Sequence, residues 1–279
     1  MATVAGFYAY GKYKTAKAIH DLPSKLGVEI HQTTSGFTFT KSEGGRRLFS
    51  ISAGRAVQLK QGQKAELHDV RIIVFGRSSQ PGAAENTYDQ IYGKDFAYDP
   101  EAGVVSAAGD VAIDLGNQGE PPADPRDTKP GAGSLHLNTS GLTFNQKTGA
   151  AETRENIEFA LPQAKGVAQG ARYDAKKMTL DLLSTVRVTA TAEAARASGI
   201  NLAATTLEAA SATIVDRPVR AELRGVSMQQ GERSLSADRV ILGLDAKNQI
   251  QKLLASGDVR ARREGKAPVD VRADRKSVV

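Results

Sequence analysis

Catalysis needs a nucleophile, an acid–base pair or a metal held within reach of a substrate, and the residues that supply these are sparse here. The chain has no cysteine, which excludes thiolate nucleophiles, Cys-ligated zinc, Fe–S clusters and a disulfide framework together. Its four histidines stand at 20, 31, 68 and 136, no two closer than 11 residues, so a HExxH zinc helix is excluded. Gly131-Ala132-Gly133-Ser134-Leu135-His136 opens like a dinucleotide fingerprint but lacks the third glycine and leads into a strand pattern. Neither a Walker A sequence nor a GxSxG elbow is present. Asp99, Asp174, Asp216 and Asp245 stand where turns need Asp, and Glu152 and Glu155 lie near a strand start, where carboxylates are solvated. His68 precedes Asp69 at a turn. Arg260, Arg262, Arg263 and Lys266 could hold a phosphate, although Arg260 and Arg262 alternate with Val259 and Ala261 as any exposed strand face does. No catalytic residue, metal site or cofactor is expected, and the chain is not expected to be an enzyme.

The elements that position these residues follow from composition and period. The chain has 279 residues, 40% of them hydrophobic and 24% charged, enough to bury a core in one large domain or two smaller ones. The net charge is +6, with the excess at the ends: four Lys against one Asp in 1–28, and eight Lys/Arg against four Asp/Glu in 250–279. Basic ends suit phosphate headgroups, lipid phosphates or nucleic acid. Tryptophan is absent and aromatics are 5%, which disfavours a protein that stacks on single-stranded nucleic acid. Thr3–Tyr10 is apolar and aromatic, and Lys12, Tyr13, Lys14 and Lys17 follow it, as where a membrane helix leaves the bilayer. Eight residues are too few to span, so 1–28 reads as the remnant of an anchor followed by a juxtamembrane helix, or as an ordinary N-terminal helix.

From residue 29 onward the signal is β. Gly36–Thr40, Phe49–Ala53, Val111–Leu115 and Val186–Ala190 alternate apolar and polar, which predicts half-buried antiparallel strands in an all-β fold. These strands recur as a unit. Tyr98-Asp99, Phe144-Asn145 and Tyr173-Asp174 are each followed, twelve residues after the Asp or Asn, by Val111, Ile157 and Val186. Leu244-Asp245 is followed fourteen residues later by Val259, and weaker copies run from Lys60 to Val70 and from Asp216 to Val226. Asp and Asn open such turns because their side chains bond the local backbone. All six offsets are even, which keeps one set of side chains on one face. Helix is expected only in the first 25 or so residues.

Two stretches interrupt the pattern. Residues 116–133 hold four Gly and four Pro in 18 positions and predict a long exposed loop, with no strand or helix, that folding can dispense with. The Ala-rich 190–212 marks a boundary near 192, dividing a β array over 29–192 from a second over 193–279. The apolar residues of one strand parity form the candidate site. They are Phe49, Ile51, Val70, Ile72, Val74, Val111, Ile113, Leu115, Ile157, Phe159, Leu161, Leu180, Leu182, Val186 and Val188. In a closed sandwich they are core, and in an open roll they line a groove for acyl chains; the pattern allows both.

A resemblance adds to this reading. Phe49–Val57, Ala65–Val70, Asp95–Pro100 with Ala108–Val111, Gly141–Asn145 with Gly149, and Ser236–Val240 with Ala255–Val259 resemble, in their order, the LptC/LptA (OstA-like) lipopolysaccharide-transport proteins over about 29–275. The resemblance implies an open, twisted antiparallel β-jellyroll of stacked hairpins. It implies a periplasmic lipopolysaccharide-binding protein that holds lipid A acyl chains in its groove and passes them along an edge-to-edge bridge. It further implies partners among inner-membrane transporter subunits and another jellyroll protein, and an N-terminal anchor in the inner membrane. The loop at 116–133 and the second array, LptA-like beside an LptC-like first, depart from the simplest members. The competing expectation is a β-solenoid scaffold or adhesion protein with no lipid ligand.

Overall fold

The computed structural model describes residues 30–59, 64–76, 87–127, 134–161, 164–190, 205–215, 220–244, 250–264 and 269–278. The expected N-terminal helix, the turns at Lys60, Asp216 and Asp245, and Lys266 lie outside the described residues. Seventeen strands form one long antiparallel sheet, and among the described residues there is no α-helix. In order they are β1 (Ile30–Glu43), β2 (Arg46–Leu59), β3 (Ala65–Phe75), β4 (Thr87–Asp99), β5 (Val104–Ser106), β6 (Asp110–Gln118), β7 (Leu135–Ser140), β8 (Thr143–Asn145) and β9 (Ala150–Leu161). The rest are β10 (Ala164–Asp174), β11 (Thr179–Ala190), β12 (Thr205–Ala209), β13 (Ser211–Val215), β14 (Arg220–Gln230), β15 (Arg233–Leu244), β16 (Ile250–Arg263) and β17 (Val269–Val278). The chain meanders: each long strand pairs with the next, and the short pairs β5/β6, β7/β8 and β12/β13 each act as one broken strand. The ladder continues from β11 into β12 and β13, across the region where the sequence suggests a boundary.

A corner crosses the whole sheet. Near its middle each strand breaks register, and the breaks line up from strand to strand. Ser35 and Phe37 pair with Arg55 and Ala53, which in turn pair with His68 and Val70, passing over Gly36, Gly54 and Asp69. The same skip recurs at Gly170, Gly225 and the Gly257-Asp258 pair. Backbone at the corner is left-handed at Gly36, Gly141, Gly170, Gly225 and Gly257, and also at Asp69, Thr185 and Asp258. The corner turns one sheet into two walls that face each other. Phe49 of one wall meets Phe144 of the other edge-on at 5.2 Å, and the Tyr173 hydroxyl donates across the interior to Asp89.

The turns at one end of the strands stack as the repeat predicts. Asp99 Oδ1 accepts from the amides of Glu101 and Ala102, Asn145 Oδ1 from Lys147 and Thr148, and Asp174 Oδ1 from Lys176 and Lys177. Each turn ends four residues on in a left-handed residue: Gly103, Gly149 and Met178. One backbone bond joins each turn to the next, Gln146 N–H to Gly103 O at 2.8 Å and Ala175 N–H to Gly149 O at 3.1 Å.

The stretch expected as a featureless loop is more ordered than its composition implies. β6 runs on to Gln118 with Gly116 at a left-handed kink, and Pro125–Asp127 form a 3-10 turn. Pairing with β4 continues through 118 across a register shift opposite Asp89, where Gly116 N–H donates to the buried Asp89 carboxylate at 2.7 Å.

Two outcomes test the turns. Met178 occupies a position that its two equivalents give to glycine, and left-handed backbone costs a non-glycine residue about 1–2 kcal/mol. Met178→Gly is expected to raise stability by about 0.5–1 kcal/mol, measured by urea denaturation, after the entropic cost of glycine is subtracted. Burial works against the Asp174 carboxylate, but the Lys177 and Lys176 amides and the Lys177 ammonium outweigh it and hold its pKa below the ordinary value. A depressed folded pKa stabilises the fold above the unfolded value of about 3.9, and that contribution is lost as pH falls through the folded value. Asp174→Asn keeps the turn bonds, as Asn145 does. Its melting temperature is therefore expected to fall less than that of the unmodified chain as pH drops below about 3.9.

Candidate functional site

Cross-strand register assembles the predicted apolar residues into rows. One row runs through Phe39, Ile51, Ile72, Ile91, Ile113, Leu137, Phe159, Gly166, Val188, Leu207, Met228, Leu235, Ala261 and Val271, each directly opposite the next. A second row on the facing wall runs through Tyr98, Val105, Phe144, Ala151, Tyr173, Leu180, Ile214, Ala221, Leu242 and Leu253. Gly166 leaves a gap in the first row that the Phe159 ring fills: a Cβ at Gly166 would lie 2.2 Å from Phe159 Cζ.

The two ends of the inner face differ. From β2 to β10 the walls are in contact. Phe49, Ile51, Val70, Ile72, Val74, Val111, Ile157, Phe159, Leu180, Leu182 and Val186 are all buried, while Ile113, Leu115 and Val188 are half-buried. The Leu161 side chain lies outside the described residues. The space left between Ile91, Leu137, Leu142 and Tyr173 is about 20 Å³, room for one water and not for an acyl chain. Beyond β11 the cover thins. Val188, Leu207, Met228, Leu235 and Ala261 are half-buried, and Val271 is 38% exposed. The row is half-covered at Phe39 and again from Val188, which the sequence pattern selects, through Leu207, Met228, Leu235 and Ala261 to the exposed Val271, which it does not. Their one sequence signal is the alternation of Leu235, Ala237 and of Val259, Ala261, weakened by the small side chains.

The outer face carries a polar ladder that the sequence did not reveal. Arg71 Nε and Nη2 donate to Gln90 Oε1 at 3.1 and 2.6 Å, Gln90 Nε2 donates to Asp114 Oδ2 at 2.7 Å, and His136 Nδ1 lies 2.5 Å from Asp114 Oδ1. Residues 119–127 strap across it: Arg71 Nη1 donates to Pro122 O, and Gln90 Nε2 to Pro125 O at 3.2 Å. Burial lowers the Arg71 guanidinium from its ordinary pKa, opposed by Tyr88, Asp124 and Asp114. The strap therefore packs on the sheet, covering Arg71 and Gln90 and accepting from both. Of the other polar candidates, His68 Nδ1 lies 2.7 Å from Asp95, and Arg260 and Arg262 pair with Asp258 and Asp270 on the outer face. Among the described residues no three His, Asp or Glu side chains cluster as metal ligands do. No model of a known protein family matches the chain, and no curated protein matches it.

The difference between the ends has a direct test. A carboxylate at a fully buried site costs several kcal/mol. Ile72→Asp and Phe159→Asp are expected to abolish cooperative unfolding by circular dichroism. Leu235→Asp, on the half-covered surface, is expected to stay folded at a cost on the order of 1 kcal/mol.

Proposed function

We propose that this chain is a lipid carrier of the lipopolysaccharide-transport kind, an open β-jellyroll that receives acyl chains on its inner apolar face and hands them on without covalent chemistry. The observation that carries the reading is the single apolar row, continuous over fourteen strand positions from Phe39 to Val271 and uncovered at one end. A row of that form stabilises an acyl chain by about 0.8 kcal/mol per buried CH₂. Its half-covered part, from Leu207 to Val271, is continuous, so a chain can slide along that part without crossing a polar barrier.

The sheet edges support the hand-over. Among the described residues β1 pairs only with β2 and β17 only with β16, so each presents a free backbone edge, over 14 and 10 residues. Free edges of that length accept a further strand from a partner. In this reading another jellyroll protein adds to one edge and an inner-membrane transporter subunit to the other. The chain works in the periplasm, attached to the inner membrane through a segment before the first strand. The domain reading follows: residues 29–192 form the first jellyroll unit and 193–279 the second, sharing one ladder.

A second reading keeps one observation on its side. The closed packing between Ile51, Ile91 and Phe144 is that of a β-solenoid scaffold with a dry core and no ligand. Mass spectrometry of the protein purified from a lipopolysaccharide-producing host separates the two. Co-purified lipopolysaccharide or lipid A is expected. Lipid-free protein, together with failure to take up added lipid A, would favour the scaffold.

A further inference from the structure

Cover along the inner row changes at one place between β9 and β11. Leu137 and Phe159 are buried, whereas the next members, Gly166, Val188 and Leu207, are half-buried. At that place the row has no side chain of its own on β10, because its member there is Gly166. The Phe159 ring takes the space instead. A Cβ at Gly166 would lie 2.2 Å from Phe159 Cζ and 2.5 Å from Cε2, so the ring leans along the row, off β9 and over β10, toward Val188. The ring is itself only 6% exposed. An aromatic ring laid over a cross-strand glycine seals the sheet surface there. Here it also closes a track. On one side of the ring the half-covered row runs through Val188, Leu207, Met228, Leu235 and Ala261 to Val271. On the other side the walls meet, and the space left beside Leu137 and Ile91 is about 20 Å³.

We infer that Phe159 is a stop: it fixes how far an acyl chain runs along the row from the β17 end, and with it the chain length that the protein takes. This rests on the lipid-carrier reading and adds to it a residue that sets specificity. Val271 and Val188 are five strand-to-strand steps apart. At about 4.8 Å per step the track is about 24 Å long. C–C bonds of about 1.5 Å advance an extended chain by about 1.25 Å each, so the track holds about 19 carbons. Each methylene laid on it raises affinity by up to about fourfold. A methylene beyond the ring finds no apolar surface to cover and adds nothing. Glycine at 166 is what lets the stop form, since any side chain there would push the ring off β10.

The test measures binding of a series of straight-chain fatty acids, with lipid A uptake measured beside it. The unmodified chain is expected to bind each longer acid more tightly, by up to about fourfold per methylene, and to gain nothing beyond about 19 carbons. Phe159→Ala opens the β10 position, one further strand step, and is expected to move the point at which the gain stops by about four carbons toward longer acids. Phe159→Leu, the milder change, is expected to move it the same way by less, and decides the matter if the Ala variant does not fold. The readout is where the gain stops, because lost packing alone weakens every acid alike and leaves that point in place. The stop is overturned, while the carrier reading stands, if that point does not move in the folded variants. It is overturned in the same way if the unmodified chain shows no such point, or takes lipid A and no fatty acid. If the unmodified chain takes up neither the acids nor lipid A, the carrier reading falls and takes the stop with it.

Discussion

Everything in this molecule depends on the corner. A flat antiparallel sheet of this length would leave one apolar face in water along its whole extent. The aligned column of left-handed and bulged positions turns the sheet along one line, and the two resulting walls bury each other's apolar rows. The alignment matters more than any one kink. Because every strand breaks at the same height, cross-strand partners stay in register on both sides, and the inner rows remain unbroken from strand to strand. Asp69, Thr185 and Asp258 accept left-handed backbone to keep that alignment, which shows that the column outweighs the local preference of single residues.

The corner sets topology, and the side chains on the walls set how tightly they close. In β2 to β9 the rows present Phe49, Ile51, Ile72, Ile91 and Phe144, large enough to fill the space between walls and exclude all but a water-sized void. The Tyr173–Asp89 bond and the 119–127 strap secure the same half from inside and outside. In β14 to β16 the residues beside the corner, Leu223, Val226, Ala237, Val240, Ala255 and Val259, stay buried, whereas those farther from it, Ala221, Met228, Leu235 and Ala261, are half-buried. Cover is thereby graded along one continuous surface, from rows packed closely between the walls to rows partly uncovered toward β17.

Much of this was legible in the sequence, for identifiable reasons. Asp99, Asn145 and Asp174 could be placed at turns because Asx chemistry acts within four residues and leaves a local mark. The inner parity of Phe49, Ile51, Ile72, Ile157 and Phe159 could be read because alternation is also local. The corner could not be read so easily. Inner positions are three residues apart across it in β3, β10 and β14, as with Leu67 and Val70, but four apart in β9, β11 and β16, as with Leu182 and Val186. The four-residue spacings keep parity and hide the corner in β9, β11 and β16, and in β3 and β14 the repeat aligned only one side of it, at Val70 and Val226. The packing of 119–127 on the sheet could not be read because Arg71 and Gln90 bond to backbone carbonyls of Pro122 and Pro125, which carry no side-chain signature. The open end went unseen because exposure of Leu235 and Val271 depends on what the opposite wall lacks, a tertiary fact.

The central claim is that lipid occupies the uncovered end of one continuous apolar row. Site-specific photo-crosslinking in lipopolysaccharide-producing cells tests it most directly. A photoreactive residue would be placed in turn at Leu235 on the inner row, at Ile72 in the closed half, and at Leu254, which pairs with Ile241 on the opposite parity of β16. The expected result is a lipopolysaccharide adduct at Leu235, with little at Ile72 and none at Leu254. Adducts strongest at Leu254, or absent from all three positions in a folded protein, would contradict it.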